Sequence, residues 1–364
     1  MKGLRLMPGS WRTIGLADDG WTVEILDQTA LPHQTVVRRI ASSAAMAEAI
    51  GSMRVRGAPL IGAAGAYGLC LGLRADPTDD GLASAIHLLR ATRPTAVNLD
   101  AALRRVAEAV SPLDPDARVG RAYEVTAGLC AEDAVQNHAI GEHGYALLRS
   151  LARPGHVLRV GTHCNAGWLA TVAWGTALAP VYLAHDAGLP IEVWVSETRP
   201  RGQGALTAWE LAQAGVKHTV ITDNAAGWLL QRGLVDVYLV GTDRTTSTGD
   251  VGNKIGTYLK AVAAREHGVP FYACVPSASI DWALQSGADI PIEERDPDEV
   301  RVASGVTDRG DSDAVRVLPR ETPVVNPAFD VTPGRLVTGL ITERGVCAAS
   351  ADGLATLFPE RSCR

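Results

Sequence analysis

Hydrophobic positions keep two different rhythms along this chain, and the change falls near Pro154-Gly155. Ahead of it, the run WTVEILDQT at 21–29 predicts a short strand entering a turn. From about Ser42 to His143 apolar residues then recur at helical spacing, as in SSAAMAEAIGSM, LDAALRRVAEAV and the stretch from Ala122 to Ser150. Pro94, Pro112 and Pro115 punctuate these segments. The run from Ala58 to Leu73 carries Gly62, Gly65, Gly68 and Gly72 at helical spacing, which predicts close helix packing rather than a bilayer span.

After Pro154 short branched runs alternate with helical segments. HVLRVGT, IEVWVSE, HTVITD, VDVYLVGTD and PFYACVPS are separated by stretches such as LTAWELAQAG and NKIGTYLKAVAAREHG. That alternation predicts a parallel sheet covered on both faces, so the chain reads as α/β with a mainly helical first half. Residues 292–320, charged and irregular, are expected to run over the surface. NPAFDVTPGRLVTGLITERG reads as a last helix, with Thr332 at its N-cap and Pro333 in its first turn.

Composition narrows the function classes. A chain of 364 residues with 46% hydrophobic and 20% charged residues is an ordinary globular protein, with two domains the natural expectation. Its formal charge of -6 gives no reason to expect a nucleic-acid partner. The N-terminus lacks the apolar core of a secretory signal, and the six cysteines are scattered without a C-x-x-C pair. A cytoplasmic protein with reduced thiols, no zinc site and no membrane partner is expected. No G-x-G-x-x-G follows the first sheet strand and no G-x-x-x-x-G-K-[ST] occurs, which disfavours a dinucleotide or nucleoside triphosphate.

Open parallel sheets bind ligands outside the carboxyl ends of their strands. Here those ends read Thr162-His163-Cys164-Asn165, then Ser196 through Gln203, then Asp223-Asn224, then Thr242-Asp243-Arg244 running on to Lys254. Topology therefore predicts that Cys164, Gln203, Asp243 and Lys254 converge in one crevice. The glycine-rich CNAG and GDVGNK loops are expected to lead into helices, with backbone N–H groups and Lys254 at a helix start facing an anion. Arg56-Gly57-Ala58-Pro59 and Arg93-Pro94-Thr95 would add two guanidinium forks at helix starts. Taken singly, Cys164 is an ordinary small buried residue and Asp243 an ordinary turn cap.

Seven ordered motifs change those odds. VRGAPLIGAAGAYG, RPTAVNLDAALRR, GTHCNAGWLAT, ETRPRGQGALTAWEL, ITDNAAGWLL, GTDRTTSTGDVGNKIGTY and the closing NPAFDVTPGRLVTGLITERG resemble bacterial methylthioribose-1-phosphate isomerases over almost the whole chain. The resemblance implies a helical N-terminal domain at 1–145 and a Rossmann-like domain at 146–364. It also implies a homodimer and a site without metal or cofactor between the domains, acting on a phosphorylated pentose. By motif, Cys164 and Asp243 are the expected catalytic pair. Arg56, Gly57, Ala58, Arg93, Gln203, Asn253 and Lys254 are the expected substrate contacts.

Trp168 and Leu60 depart from the family pattern and become candidates to line the pocket for the sugar's 5-substituent. The same superfamily contains isomerases of 5-deoxyribose 1-phosphate and ribose 1,5-bisphosphate, and non-catalytic regulatory subunits of the initiation factor 2B type. On the isomerase reading Asp243 is an acid whose pKa burial raises, and Cys164 a thiol whose pKa a helix start and cationic neighbours lower. His163 is expected to be structural.

Overall fold

The computed structural model describes residues 12–93 and 96–361; residues 1–11, Pro94, Thr95 and 362–364, Cys363 among them, lie outside. The first half opens with a three-stranded antiparallel sheet, Ile14–Leu16, Val23–Leu26 and Val37–Ile40. Helices follow. Ser42 caps Ser43–Gly51 by accepting from the Ala45 amide, and Thr78 caps Asp79–Arg90 with two aspartates in the first turn.

Helix Ala58–Ala75 lies at the centre of this half, and its glycines are contact points. A Cβ on Gly62 would stand 2.9 Å from the Asn98 carbonyl oxygen, and one on Gly68 2.7 Å from a Leu89 methyl. This helix is long and apolar enough to cross a membrane on length and composition, but nearly three quarters of it is buried within the fold. Met46, Ile50, Leu69, Leu89, Leu103 and Val106 close the core around it. The 37-residue helix Pro115–Leu151 begins against this bundle and ends against helix Ala179–Asp186 and the large sheet, so it is shared by both halves.

The second half is built on a seven-stranded sheet. Six strands are parallel: Leu158–Thr162, Ile191–Ser196, Lys217–Ile221, Val237–Val240, Phe271–Cys274 and Gly339–Thr342. Counted in chain order they lie 3-2-1-4-5-6, the doubly wound arrangement, and Gly345–Cys347 adds an antiparallel edge. One face packs on Val181, Leu206 and Leu211; the other packs on Leu230, Ala261 and Leu354. The strand order reverses between Leu158–Thr162 and Val237–Val240, whose ends are tied by Thr162 Oγ1 donating to the Leu239 carbonyl at 2.8 Å.

Three local expectations are corrected. The closing segment is not a helix: Phe329–Thr332 pairs antiparallel with Val251–Lys254, Gly334–Leu336 is one 3-10 turn, and Gly339–Thr342 is the sixth parallel strand. Pro333 sits at φ −59° and ψ 142°, extended geometry that its ring accepts as readily as a helix start. Lys254 accordingly ends a strand, and the next helix begins at Thr257. The 292–320 excursion contains a short helix, Asp298–Arg301, and an exposed hairpin, Val302–Val306 with Ser312–Arg316.

Candidate functional site

Cys164 and Asp243 leave the sheet just beyond the two strands that flank the reversal, and both line one cavity. Cys164 takes a left-handed backbone, φ 66°, and Thr198 another, φ 64°. Such geometry in a non-glycine residue costs about 1–3 kcal/mol and persists only where neighbours over-determine it. Here the Cys164 amide donates to Thr198 Oγ1 at 3.0 Å, and the Cys164 carbonyl accepts from Thr207 Oγ1 at 2.8 Å. The amides of Thr198 and Arg199 in turn donate to Asp223 at 3.1 and 2.8 Å.

Burial pushes the Cys164 thiol pKa up; the Arg56 and Lys254 charges pull the other way and Asp243 adds to the rise. This corrects the expected depressed thiol. The Cys164 loop leads directly into the 3-10 turn Trp168–Ala170, and the next α-helix begins only at Ala179. The Trp168 and Leu169 amides donate to Glu210 at 2.8 and 3.0 Å. The loop therefore presents no free helix terminus to the sulfur.

Asp243 is held by its amide donating to the Gly252 carbonyl at 3.0 Å. Burial raises its carboxyl pKa; Lys254, Arg56 and Arg93 oppose the rise and Glu293 reinforces it. Lys254 donates to the Ala328 carbonyl at 2.7 Å and lies 4.9 Å from the Phe329 ring centre. Burial lowers its pKa, while Cys164 and Asp243 favour the ammonium. His163 lies behind the loop, with Nε2 2.7 Å from the Ile255 carbonyl. Burial and the Lys260 charge push its pKa down to about 3, so the ring is neutral and its proton sits on Nε2.

The other sequence-derived residues meet the same cavity. Arg56 is 8% exposed, with Nε donating to Gln28 Oε1 at 3.1 Å and Nη2 to the Asn165 carbonyl at 3.2 Å. Gly57, at φ 93°, packs against the Ala170 backbone, which leaves no room for a Cβ, and Ala58 begins the next helix. Arg93 precedes helix Val97–Val110 and reaches Glu293 at 3.4 Å. Asn253 donates to Thr257 Oγ1 at 3.1 Å. Gln203 starts helix Gln203–Gln213, and its buried Oε1 accepts no hydrogen bond from the described residues, an orphan that a ligand hydroxyl would satisfy.

Sequence reasoning missed part of the wall. The beginning of the surface excursion folds inward, so Glu293 and Arg295 line the cavity mouth beside Arg201. Arg295 pairs with Glu293 and Glu299, each at 2.8 Å, and Arg201 pairs with Glu299 at 2.8 Å. Charge density in 292–301 was the available signal, but charge alone does not tell a cavity rim from a solvated loop. Trp168 and Leu60 do not line the cavity. Leu60 is in the helical core, and Trp168 packs 5.8 Å from Trp209. The apolar wall comes instead from Met53, Ile61, Val97, Ile290 and Phe329.

Residues 54–349 match the model of the Initiation factor 2 subunit family. Methylthioribose-1-phosphate isomerase of Rhodospirillum rubrum is 57% identical over 360 residues, spanning 96% of this chain and 92% of that protein. The crystal structure of 5-methylthioribose 1-phosphate isomerase from Pyrococcus horikoshii is similar with a TM-score of 0.85 at 40% identity, over 98% of this chain and 97% of that one. The structure of translation initiation factor eIF-2B, subunit delta, from A. fulgidus follows with a TM-score of 0.81 at 37% identity, over 96% and 99%.

Proposed function

From the premise that this chain belongs to the Initiation factor 2 subunit family, in its methylthioribose-1-phosphate isomerase branch, we propose how its cavity turns an aldose phosphate into a ketose phosphate. The protein is an aldose–ketose isomerase of methionine salvage, converting 5-methylthio-D-ribose 1-phosphate to 5-methylthio-D-ribulose 1-phosphate. Asp243 and Cys164 are the reacting pair. The observation that carries this assignment is their emergence from opposite sides of the strand-order reversal into one cavity lined by Arg56 and Lys254.

Phosphate on the anomeric oxygen prevents the sugar from opening by itself. The ring oxygen must gain a proton, hydrogen must pass from C2 to C1, and the C2 hydroxyl must release its proton. One acid and one base suffice, and the proton that the base takes from the C2 hydroxyl passes back to the acid, directly or through water, to restore both. Asp243 supplies the proton, because burial keeps its carboxyl protonated at higher pH than an exposed aspartate. Cys164 is the base. The base form is the thiolate, left when the thiol passes its proton to solvent before the sugar is bound and stabilised against burial by the Arg56 and Lys254 charges; it then takes the C2 hydroxyl proton. Arg56, Arg93 and Lys254 hold the phosphate, Gln203 and Asn253 the sugar hydroxyls, and the backbone at Gly57 and Ala58 lets the substrate approach closely.

The wall of Met53, Ile61, Val97 and Phe329 suits a methylthio group. Arg201 and Arg295 are already paired with Glu299 and Glu293, which argues against a clamp for a second phosphate and hence against ribose 1,5-bisphosphate. The test offers 5-methylthioribose 1-phosphate, 5-deoxyribose 1-phosphate and ribose 1,5-bisphosphate to the purified protein and follows ketone formation by NMR. Turnover of the first is expected, with losses of about a hundredfold to ten-thousandfold in Cys164→Ser and Asp243→Asn. Full activity in either variant removes its assigned role, and turnover of the bisphosphate alone removes the pathway assignment.

The same reading divides the chain into a helical domain, 1–145, and a catalytic sheet domain, 146–364, with the Pro115–Leu151 helix joining them. It also makes the protein a cytoplasmic homodimer, supported by exposed apolar side chains on the sheet domain.

A further inference from the structure

Behind the cavity lies a closed circuit of hydrogen bonds that the mechanism above uses only through Arg56. Glu210, in the ETRPRGQGALTAWEL motif, has no solvent exposure and faces four donors. They are Asn165 Nδ2 at 2.8 Å, the Trp168 and Leu169 amides, and the Tyr182 hydroxyl at 2.7 Å. Asn165 Nδ2 also donates to Thr207 Oγ1 at 3.1 Å, so the Asn165 side-chain oxygen points the other way and accepts from Arg56 Nη2. Arg56 Nε donates to Gln28 Oε1, and Gln28 Nε2 donates to the Leu169 carbonyl at 2.6 Å, which returns the circuit to Glu210.

The arrangement has a direction. Among the described residues no carboxylate pairs directly with Arg56, although its guanidinium is buried. The nearest anion in the circuit is one amide away. An asparagine amide has a donor end and an acceptor end, and an acceptor-only carboxylate behind it fixes which end faces forward. Burial raises the Glu210 pKa, and the Asn165, Tyr182 and Leu169 donors together with the Arg56 charge oppose that rise.

We propose that Glu210 is a positioning residue for the substrate phosphate: by locking the Asn165 amide it aims the Arg56 guanidinium into the cavity. The proposal rests on the isomerase reading for its substrate. Arg56 meets phosphate in the ground state and the transition state alike and also steadies the Cys164 thiolate, so misaiming it raises KM and the phosphate Kd, with kcat falling as well.

The test compares wild type, Glu210→Gln, Asn165→Ala and the double variant Glu210→Gln/Asn165→Asp in steady-state turnover of 5-methylthioribose 1-phosphate. Binding of inorganic phosphate, by calorimetry, is measured on the same proteins. In Glu210→Gln the new amide nitrogen meets a donor, and flipping Asn165 relieves this at the expense of Arg56. KM and the phosphate Kd are expected to rise about tenfold or more, as for the loss of a hydrogen bond to a charged group. The double variant moves the negative charge one residue towards Arg56, and recovery of KM to within about threefold of wild type is expected while its Tm stays low. A purely structural Glu210 predicts that kcat and Tm fall with KM unchanged and no recovery, and that outcome overturns the proposal. Asn165→Ala leaves both backbone amides bound to Glu210, so it covers a Glu210→Gln protein that does not fold; wild-type KM and phosphate affinity in Asn165→Ala likewise overturn it. Absence of wild-type turnover would sink the isomerase reading, and the phosphate titration would still decide this one.

Discussion

Asp243 carries opposing demands. Its folded pKa lies above the ordinary aspartate value because burial disfavours the charge. The unfolded chain therefore loses this proton first as pH rises, and the cost to stability grows from that point up to the folded pKa and persists in full above it. Asp243→Asn removes that cost, so at neutral pH the variant is expected to melt above wild type while turnover collapses. The difference in Tm should vanish in acid, below the unfolded value, where both side chains are neutral. Melting curves from pH 3 to 8 check this, and a variant less stable than wild type at pH 7 would mean that the three nearby cations outweigh burial. Cys164, Gln203 and Asp243 were legible because each follows a strand, and strand ends need only the alternation of branched and polar runs; Lys254 was found on the same reasoning although it ends a short strand of its own. Glu210 was legible in principle: it stands four residues after Leu206 and one before Leu211, an acid on the buried face of its helix. Gln28 and the inward fold of Glu293 had no comparable signal, since nothing local places them opposite Arg56 and Arg93.

Elements transmit these demands through close packing. Helix Ala58–Ala75 begins at the Arg56-Gly57 corner and crosses helix Val97–Val110, which begins just after Arg93. Gly62 sets their spacing. A Cβ there meets a backbone oxygen of Asn98, which cannot swing aside as a side chain can. Gly62→Ala is expected to cost about 1–3 kcal/mol through overpacking. It should also raise KM, because separating the helix starts parts Arg56 from Arg93. Gly68→Ala provides the comparison: its Cβ meets the movable side chains of Leu89 and Met46, far along the helix. A similar loss of Tm with unchanged KM is expected there. Urea melts and steady-state kinetics on both variants separate the two effects, and equal KM values would show that the spacing does not reach the site. The small-residue face was readable from glycine periodicity alone. The final segment was not, because Thr332, Pro333 and the glycine-broken LVTGLIT satisfy the rules for a helix start locally. The sheet overrides them by taking Gly339–Thr342 as its sixth parallel strand, where Leu340 and Ile341 are fully buried.

At the scale of the molecule, the sheet ends in Lys217–Ile221, an edge strand with Val220 half exposed. Exposed parallel edges invite pairing or a cover. The helix that follows, Ala225–Gln231, carries Trp228 at 57% exposure, and its packing neighbour Thr257–Glu266 carries Leu259 at 65% with Val262 also open. Large apolar side chains grouped on adjacent helices are typical of surfaces that another protein covers. The proposed catalytic pair lies at the carboxyl ends of the strands, so a second copy seated on this patch would leave the cavity mouth accessible. Replacing Trp228 and Leu259 together by Asp places two charges in the proposed contact. Light scattering behind size exclusion is expected to show a dimer for wild type and a monomer for the double variant. A monomeric wild type would end the homodimer reading, and a variant that stays dimeric would move the interface elsewhere. Because Lys260 and the Thr257 helix start belong to the same element as Leu259, the monomer is also expected to lose part of its activity through loosened support of Asn253, whose amide donates to Thr257.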